Sequence, residues 1–251
     1  MHLGKTLSLL AISSTLFISC KSTSQLSRIS SPITYTINNS IQEDSAIVNY
    51  YLPYRAKLDA EMNRVIGKSD IFLSKNKNSP ETLIGNFFTD AILAIGKTID
   101  PEATIALGTK GGIRTEIKQG DITVGSIFEV MPFENAITLL DLKGTDILTL
   151  ANYIAKTGGQ PISGLTLDIK DDKAVNIKVN NQDLDTTKTY KLVTYDYLAN
   201  GGDYIEGITK PITRFDTPIR VREALIKYVE DLTKEGKTIN TKLDGRVKIS
   251  K

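Results

Sequence analysis

The sequence predicts a mixed α/β fold in which helices and strands alternate irregularly. Several segments repeat apolar residues every three to four positions, the pattern of an amphipathic helix. Other short runs, such as residues 189–195 (TYKLVTY), are rich in β-branched and aromatic residues and are typical of strands. Predicted strands lead into the glycine-rich loops that contain Gly111-Gly112 and Gly201-Gly202. Such loops are where an α/β fold commonly holds a ligand.

The first predicted helix begins after a polar segment and contains a proline. Pro53 should bend this helix or mark a late start, and Gly67 is placed to cap it. A strand is expected near residues 70–74. The apolar residues that predict the helix recur at helical spacing: Ile47, Tyr51, Tyr54, Leu58, Met62 and Val65.

The second helix is predicted over residues 81–95 and should stop at Gly96. A short apolar strand at residues 104–107 follows and leads into the first glycine-rich loop. The expected buried face of the helix consists of Leu83, Phe87, Ala91 and either Leu93 or Ile95.

Helices and strands continue to alternate in the second half of the chain. Thr217 as N-cap and Pro218 at the first helical position predict a last helix through Leu232. Tight turns are expected at Asp171-Asp172 and Asn180-Asn181. The other predicted elements are a helix at 124–130, a strand at 136–142, a helix at 144–156 with Ile147, Leu150, Ala151 and Ile154 inward, and strands at 165–170, 174–179 and 189–195.

The N-terminus has the features of an export signal. Lys5 precedes an apolar run at residues 7–18, which is too short to span a bilayer, and Ser19 precedes Cys20. Residues 16–20 (LFISC) resemble a bacterial lipobox, in which the single cysteine of the chain would be lipidated after cleavage. An ordinary signal peptide with an incidental cysteine is the alternative.

These features predict an exported bacterial lipoprotein anchored to a membrane, either in the periplasm or at the cell surface. Residues 1–19 are then the signal peptide, Cys20 and the residues to 42 form a flexible tether, and residues 43–251 form the domain. Residues 33–37 (ITYTI) suggest a first strand inside the tether.

The composition argues against nucleic-acid binding and against unaided catalysis. Removing residues 1–19 takes away one lysine and no acid, so the formal net charge falls from +2 to +1, without the basic excess of a nucleic-acid binder. The single histidine, His2, lies in the predicted signal. The mature chain would therefore have no imidazole for a Ser-His or Cys-His pair or for a di-metal site.

Two segments combine residue types that suit a nucleoside. Residues 108–135 and 198–203 place glycines beside an aromatic ring, an amide, a guanidinium and a carboxylate. Each side chain also has a structural explanation. Phe133 could fill the core, Asn135 and Asp203 could satisfy turns, and Arg114 could pair with a nearby acid such as Glu116 or Asp121.

Five motifs together resemble the C-terminal, substrate-binding domain of the 5′-nucleotidase family over roughly residues 43–251. The resemblance implies a layered α/β/β/α arrangement. In that family a preceding domain holds two metal ions, whereas here a signal and a tether precede the motifs. We therefore expect no cofactor in this chain and divalent metals on a separate, exported metallophosphatase chain. The motifs are ETLIGNFFTD at 81–90, GGIR at 111–114, PFEN at 132–135, LANGGD at 198–203 and DGRV at 244–247.

The resemblance implies a role for each side chain in binding a nucleotide or nucleoside. Phe133 and Tyr197 would stack on the two faces of the base, and Asn135 would read its edge. Asp203 would bind the ribose diol, and Arg114 a phosphate or ribose oxygen. The full set of expected substrate-binding residues is Gly111, Gly112, Arg114, Phe133, Asn135, Tyr197, Asn200 and Asp203.

Three departures from the family pattern affect the expected site. Thr109-Lys110 stands where relatives usually carry Asn or Ser and then Gly, and Pro80 replaces an arginine beside the second helix. Tyr197 stands where most relatives have Phe, which keeps the stacking face and adds a hydroxyl. Three functions remain open: the binding part of a split hydrolase, a stand-alone nucleotide-binding surface lipoprotein, and an interaction module that has lost the site.

Overall fold

The computed structural model describes residues 34–76 and 78–250. The predicted signal peptide, Cys20 and most of the tether lie outside these residues. The chain divides into two units between Val48 and Asn49. Residues 34–37 are exposed and form no strand, so the strand suggested within 33–37 is not formed in its described part. Alternation alone does not make a strand where no neighbouring strand pairs with it.

The first helix, α1 (Ser45–Met62), has the predicted position but not the predicted apolar face. The Asp44 carboxylate caps it by accepting from the backbone N–H of Ala46 at 2.9 Å. Pro53 lies inside the helix without ending it, and no residue of the helix is buried. Gly67 does not cap the helix, because it lies in the next strand, β1 (Val65–Ser69).

Strand β1 forms a two-stranded antiparallel sheet with β3 (Gly120–Thr123). The strand expected near residues 70–74 is therefore displaced towards the N-terminus. Within that range, Leu73 makes an isolated antiparallel bridge with Ile117. This places residues 74–76 beside the first glycine-rich loop, where the backbone N–H of Lys75 donates to the Glu116 carboxylate at 2.6 Å.

A five-stranded sheet forms the centre of the domain. Its order is β10-β4-β9-β2-β5, in which β2 and β9 are parallel and the other neighbouring pairs are antiparallel. The loops that follow β2 and β9 therefore leave the same edge of the sheet side by side. The strands are β2 (Ala103–Leu107), β4 (Ala136–Lys143), β5 (Ile162–Ser163), β9 (Thr189–Tyr195) and β10 (Thr213–Arg220).

Helix α2 (Leu83–Ile99) packs against this sheet and is longer than predicted. Thr82 caps its N-terminus by accepting from the backbone N–H of Gly85. Gly96 does not stop the helix; it is a buried contact with the sheet, where an added Cβ would stand 2.4 Å from Val193 Cγ2. Glycine at this position serves close packing rather than helix termination.

The second sheet has four strands in the order β11-β6-β7-β8. These are β6 (Leu165–Lys170), β7 (Lys173–Val179), β8 (Gln182–Asp183) and β11 (Val247–Ile249). The predicted turns at Asp171-Asp172 and Asn180-Asn181 have positive φ angles, as tight hairpin turns require. Helix α4 (Gly144–Lys156) contacts strands of both sheets and buries its predicted inward face.

The last helix begins later than its cap signals predict. Thr217 and Pro218 lie in β10, and α6 (Val221–Lys234) starts after it. Strand β10 is at the edge of its sheet, where proline is tolerated because one side of the strand needs no N–H donors. The Thr217 hydroxyl donates to the Ile137 carbonyl at 3.0 Å, and Glu223 accepts from the backbone N–H of Arg220 at 3.1 Å.

The mixed α/β class and its separate sheets confirm the predicted fold. Helix α3 (Val124–Val130) also occurs at its predicted bounds. One hydrophobic cluster joins the central sheet to α2, α4 and α6, and it includes Phe87, Phe88 and Leu150. Within the described residues, the helices lack the length and apolar character that crossing a membrane would require.

Candidate functional site

The glycine-rich loops at one edge of the central sheet enclose a cavity of about 320 Å³. Seven of the eight predicted site residues line it. Asn200 does not; its side-chain oxygen instead accepts from Arg214 at 2.8 Å. The lining residues are Gly111, Gly112, Arg114, Phe133, Asn135, Tyr195, Tyr197 and Asp203.

The loop after β2 brings its backbone close to the floor of the cavity. The backbone N–H of Gly112 donates to the Thr109 hydroxyl at 3.1 Å, and this hydroxyl lies 3.3 Å from that of Tyr195. A Cβ atom on Gly112 would stand 2.5 Å from the Tyr195 hydroxyl oxygen. Glycine therefore allows an approach that another residue would block.

Tyr195 is a cavity residue that the sequence reasoning missed. It ends β9, is only 1% exposed, and meets the Phe88 ring edge-on with centroids 6.3 Å apart. Burial raises the pKa of its hydroxyl well above the ordinary tyrosine range, so the group stays protonated. The available signal was position, because Tyr195 is the last strand residue before the second loop.

Phe133 stands at the mouth of the cavity rather than in the core. Its side chain is 39% exposed, which excludes the core-filling explanation. The backbone around it is held by α6, since Arg222 donates to the Phe133 carbonyl at 3.1 Å and the N–H of Val221 donates to the Asn135 carbonyl at 2.9 Å. Hydrogen bonds from α6 thus hold the loop that carries the Phe133 ring and the Asn135 amide.

Glu134 anchors the same loop through two arginines. Arg220 lies 2.6 Å from its carboxylate and Arg222 also pairs with it, while the Arg222 guanidinium lies 4.5 Å from the centroid of the Phe128 ring. The hydrogen bond from Arg222 holds the pKa of Glu134 below its usual range. Two arginines at a helix N-terminus oppose the helix dipole, and that pattern was a sequence signal for a specific acidic partner.

Arg114 is exposed at the cavity and does not make the ion pair weighed for it. Its guanidinium donates to the Gly111 carbonyl at 3.4 Å and lies 5.9 Å from the centroid of the Phe133 ring. Within residues 34–76 and 78–250 no carboxylate forms an ion pair with it. Asp121 pairs instead with Lys68, at 3.6 Å. The cation therefore faces the cavity beside an aromatic ring.

The second loop begins with a short helix, α5 (Asp196–Ala199), and presents Tyr197 and Asp203. Tyr197 is 48% exposed, and its hydroxyl donates to the Asp203 carboxylate at 3.1 Å. Asp203 has a left-handed backbone with φ of +54°, which is uncommon for a residue other than glycine. Asp171, Asp172, Asn180 and Asn181 have the same conformation in hairpin turns, so it is the place of Asp203 in the cavity wall that makes this residue a candidate for ligand binding.

A second, more open cavity of about 580 Å³ adjoins the first and shares Gly111 and Arg114 with it. Lys110 and Lys75 lie on its wall, and the Lys110 ammonium donates to the Gly158 carbonyl at 2.9 Å. Partial burial lowers the pKa of Lys110. Lys110 thus adds a positive group to the wall of this second cavity.

Two of the family-like motifs do not line the cavity at all. The residues of ETLIGNFFTD and DGRV meet each other in a polar cluster around the buried Arg246 guanidinium. This set, which we call the Arg246 cluster, consists of Glu81, Asn86, Asp90, Ser163, Asp244 and Arg246. Among the residues that the structure describes, no three His, Cys, Asp or Glu side chains come together as a metal site.

The chain belongs to the family described as 5′-nucleotidase, C-terminal domain, whose model matches residues 65–210. It is 25% identical to a 5′-nucleotidase of Vibrio parahaemolyticus over 205 residues, covering 77% of this chain and 35% of the relative. It is 29% identical to a trifunctional nucleotide phosphoesterase protein of Bacillus subtilis over 214 residues, covering 78% of this chain and 14% of the relative. An apyrase of Aedes aegypti is 29% identical over 236 residues, covering 86% and 41%.

Among solved structures, the 5′-nucleotidase precursor of Thermus thermophilus is similar with a TM-score of 0.69 and 29% identity. The match covers 84% of this chain and 44% of that one. A structure described as a putative 5′-nucleotidase of Staphylococcus aureus matches at a TM-score of 0.65 and 15% identity, covering 86% of this chain and 46% of that one. This likeness concerns the fold alone. The chain spans about a third of the Vibrio relative and a smaller share of the Bacillus protein.

Proposed function

We propose that this chain is the nucleotide- or nucleoside-binding part of a 5′-nucleotidase-type phosphohydrolase that acts in nucleotide catabolism. The observation that carries the proposal is the cavity itself. It places two exposed rings, Phe133 and Tyr197, in one space with the Asn135 amide, the Arg114 guanidinium and the Asp203 carboxylate. This is the set of groups that a base, a ribose and a phosphate need.

Each group has a role in the proposal. Phe133 and Tyr197 stack on the base, with each face contributing about 1–3 kcal/mol. Asn135 binds the base edge, and Asp203 accepts from the ribose hydroxyls. Arg114 binds a phosphate or ribose oxygen, since its planar guanidinium suits such acceptors.

The proposed catalytic partner is a separate, exported metallophosphatase chain that carries the divalent metals. Binding the base and ribose here would position the phosphate for attack by groups of the partner, so binding energy is used for orientation. The binding loops would then face the partner across the ligand. The chain covers 35% of the Vibrio 5′-nucleotidase and 41% of the Aedes apyrase, so it matches only part of each relative.

The test is a reconstitution with AMP as substrate. An exported metallophosphatase from the same genome, with Mn²⁺ or Mg²⁺, should gain kcat/KM when the purified chain is added. Arg114→Ala and Asp203→Ala should remove most of the gain, while Lys237→Ala, which breaks an exposed pair with Glu235, should retain it. If the metallophosphatase works equally well alone, the split-enzyme proposal is wrong.

A second candidate is a non-catalytic, nucleotide-binding surface lipoprotein, favoured by the lipobox-like residues before Cys20. In this case adenosine and AMP bind but no partner gains activity. Intact-mass measurement of the membrane fraction should show a lipid adduct that Cys20→Ser abolishes. A soluble, unmodified wild-type protein would contradict the anchor, and absence of any nucleoside binding would favour the third function, an interaction module.

A further inference from the structure

Two tyrosine hydroxyls converge on Asp203, and neither contact was evident from the sequence. The Tyr197 hydroxyl donates to Asp203 Oδ1 at 3.1 Å. The Tyr153 hydroxyl, on helix α4, donates to the Asp203 backbone carbonyl at 3.0 Å. One tyrosine therefore holds the carboxylate, and the other holds the backbone that carries it.

These two hydrogen bonds hold Asp203, whose backbone conformation is unfavourable by itself. Asp203 and the next residue, Tyr204, both have φ of +54°. Left-handed conformations of non-glycine residues persist only where the surroundings hold them in place. The Tyr153 hydrogen bond comes from a helix packed on both sheets, so it fixes the loop to a rigid element.

After accepting from Tyr197, the Asp203 carboxylate can still accept further hydrogen bonds at the cavity. Asp203 Oδ2 is directed to the GGIR loop, 3.8 Å from the place where a Cβ on Gly111 would stand. An ionised carboxylate has about four lone-pair sites, and Tyr197 occupies one of them. Burial, and then the nearby charges of Asp203 and Glu206, raise the pKa of Tyr153, so that hydroxyl remains a donor at neutral pH.

We infer that Tyr153 and Tyr197 are positioning residues that orient Asp203 to accept from a vicinal diol, and that they make the site select ribonucleosides over 2′-deoxyribonucleosides. This inference rests on the proposed function. A ribose diol offers two donors to one carboxylate, and both bonds form only if the carboxylate is held in one orientation. A 2′-deoxyribose offers one donor and gains less from that orientation.

The experiment is calorimetric titration with adenosine and 2′-deoxyadenosine at neutral pH. Tyr197→Phe keeps the stacking face, so 2′-deoxyadenosine affinity should fall less than adenosine affinity. The ratio of the two affinities should fall by about tenfold, the value of one hydrogen bond to a charged group. Tyr153→Phe should lower the ratio in the same direction by a smaller factor. Tyr190→Phe is the matched control, because its hydroxyl also donates to a backbone carbonyl, that of Asp185 at 3.2 Å, but lies outside the cavity lining.

A second measurement separates positioning from general loosening. In the Asp203→Ala background the carboxylate is absent, so Tyr197→Phe should no longer change the ratio. An unchanged ratio in both single tyrosine variants, or an equal effect of Tyr197→Phe with and without Asp203, would overturn the inference while adenosine binding itself stands. If neither nucleoside binds the wild-type protein, the proposed function fails and this inference fails with it.

Discussion

Two arginines from two family-like motifs have opposite surroundings. Arg246 of DGRV is 9% exposed and donates to the carboxylates of Asp90 and Asp244, to the Ser163 hydroxyl and to the Ile162 carbonyl. Arg114 of GGIR is exposed, donates to one carbonyl within its own loop and has no carboxylate partner in the described part of the chain. A saturated guanidinium holds the chain together, whereas one that faces a cavity is available to a ligand.

The Arg246 cluster joins segments that are far apart in the sequence. The Glu81 carboxylate accepts from the backbone N–H groups of Asp244 at 2.9 Å and Gly245 at 3.0 Å, and from the Asn86 side chain at 2.6 Å. It thus fastens the C-terminal segment to the start of α2. A shared motif can therefore hold distant segments together or bind a ligand, and hydrogen-bond saturation distinguishes the two.

A large effect is expected on the Arg246 cluster. Arg246→Ala removes the buried guanidinium that bonds Asp90, Asp244 and Ser163, so we expect the free energy of unfolding to fall by about 3 kcal/mol. This is the lower end of the range for a buried pair, because the Asp90 and Asp244 side chains are 36% and 55% exposed. Urea denaturation measures this. Arg114→Ala is the matched control and should leave the urea midpoint nearly unchanged while weakening AMP binding. Equal destabilisation by the two substitutions would contradict the assignment of a structural role to Arg246 and a binding role to Arg114.

Phe133 and Phe88 allow the same comparison between a residue that lines the cavity and a residue of the core. Phe133→Ala should weaken adenosine binding by about 1–3 kcal/mol, the value of one stacking face, with little loss of stability. Phe88→Ala removes a ring that is 0% exposed, and should instead lower the free energy of unfolding by about 3–5 kcal/mol. Calorimetry and urea denaturation on both variants test the prediction. Unchanged affinity in Phe133→Ala and in Tyr197→Ala would remove the base-stacking assignment.

The smallest expected effect is a pH dependence of the Arg246 cluster. The hydrogen bond from Arg246 holds the pKa of Asp244 below its ordinary 3.8. The stabilisation from this pair is therefore complete above about pH 4 and is lost as the pH falls through the lowered pKa. Asp244→Asn should flatten the dependence of the free energy of unfolding on pH below about pH 4. Asp172→Asn, in an exposed turn, is the control, and a wild-type slope in Asp244→Asn would contradict the role of the pair.

Local patterns predicted the elements whose ends are decided locally. Helix α4 and strands β6 and β9 occur at their predicted bounds, because their apolar periodicity and flanking turns agree. Gly96 and Pro218 misled the prediction, since both also have uses inside regular structure. A contact with Val193 and an edge position in the sheet decided those uses, and neither is visible in a local window.

The candidate site likewise contains residues that the sequence predicted and supporting residues that it did not. The loops were recognisable because glycines and functional side chains lie within short motifs, and the structure brings seven of the eight predicted residues to one cavity. The residues that hold these side chains were missed. Tyr153 lies 50 positions from Asp203, and Arg222 lies 88 positions from Glu134. No short-range pattern links partners that far apart.

The sequence by itself therefore determined the fold class, the family and the chemical groups offered to a ligand, because each is written in local periodicity or in short motifs. Only the tertiary structure decided which motif forms the hydrogen-bonded Arg246 cluster and which lines an open cavity. The number of hydrogen bonds that a guanidinium makes depends on acceptors from segments that are distant in the sequence. Arg246 is buried among acceptors from three segments, whereas Arg114 faces the cavity beside Phe133. The hydrogen-bond acceptors around Arg246 give it a structural role, whereas the cavity position of Arg114 leaves its guanidinium available to a ligand.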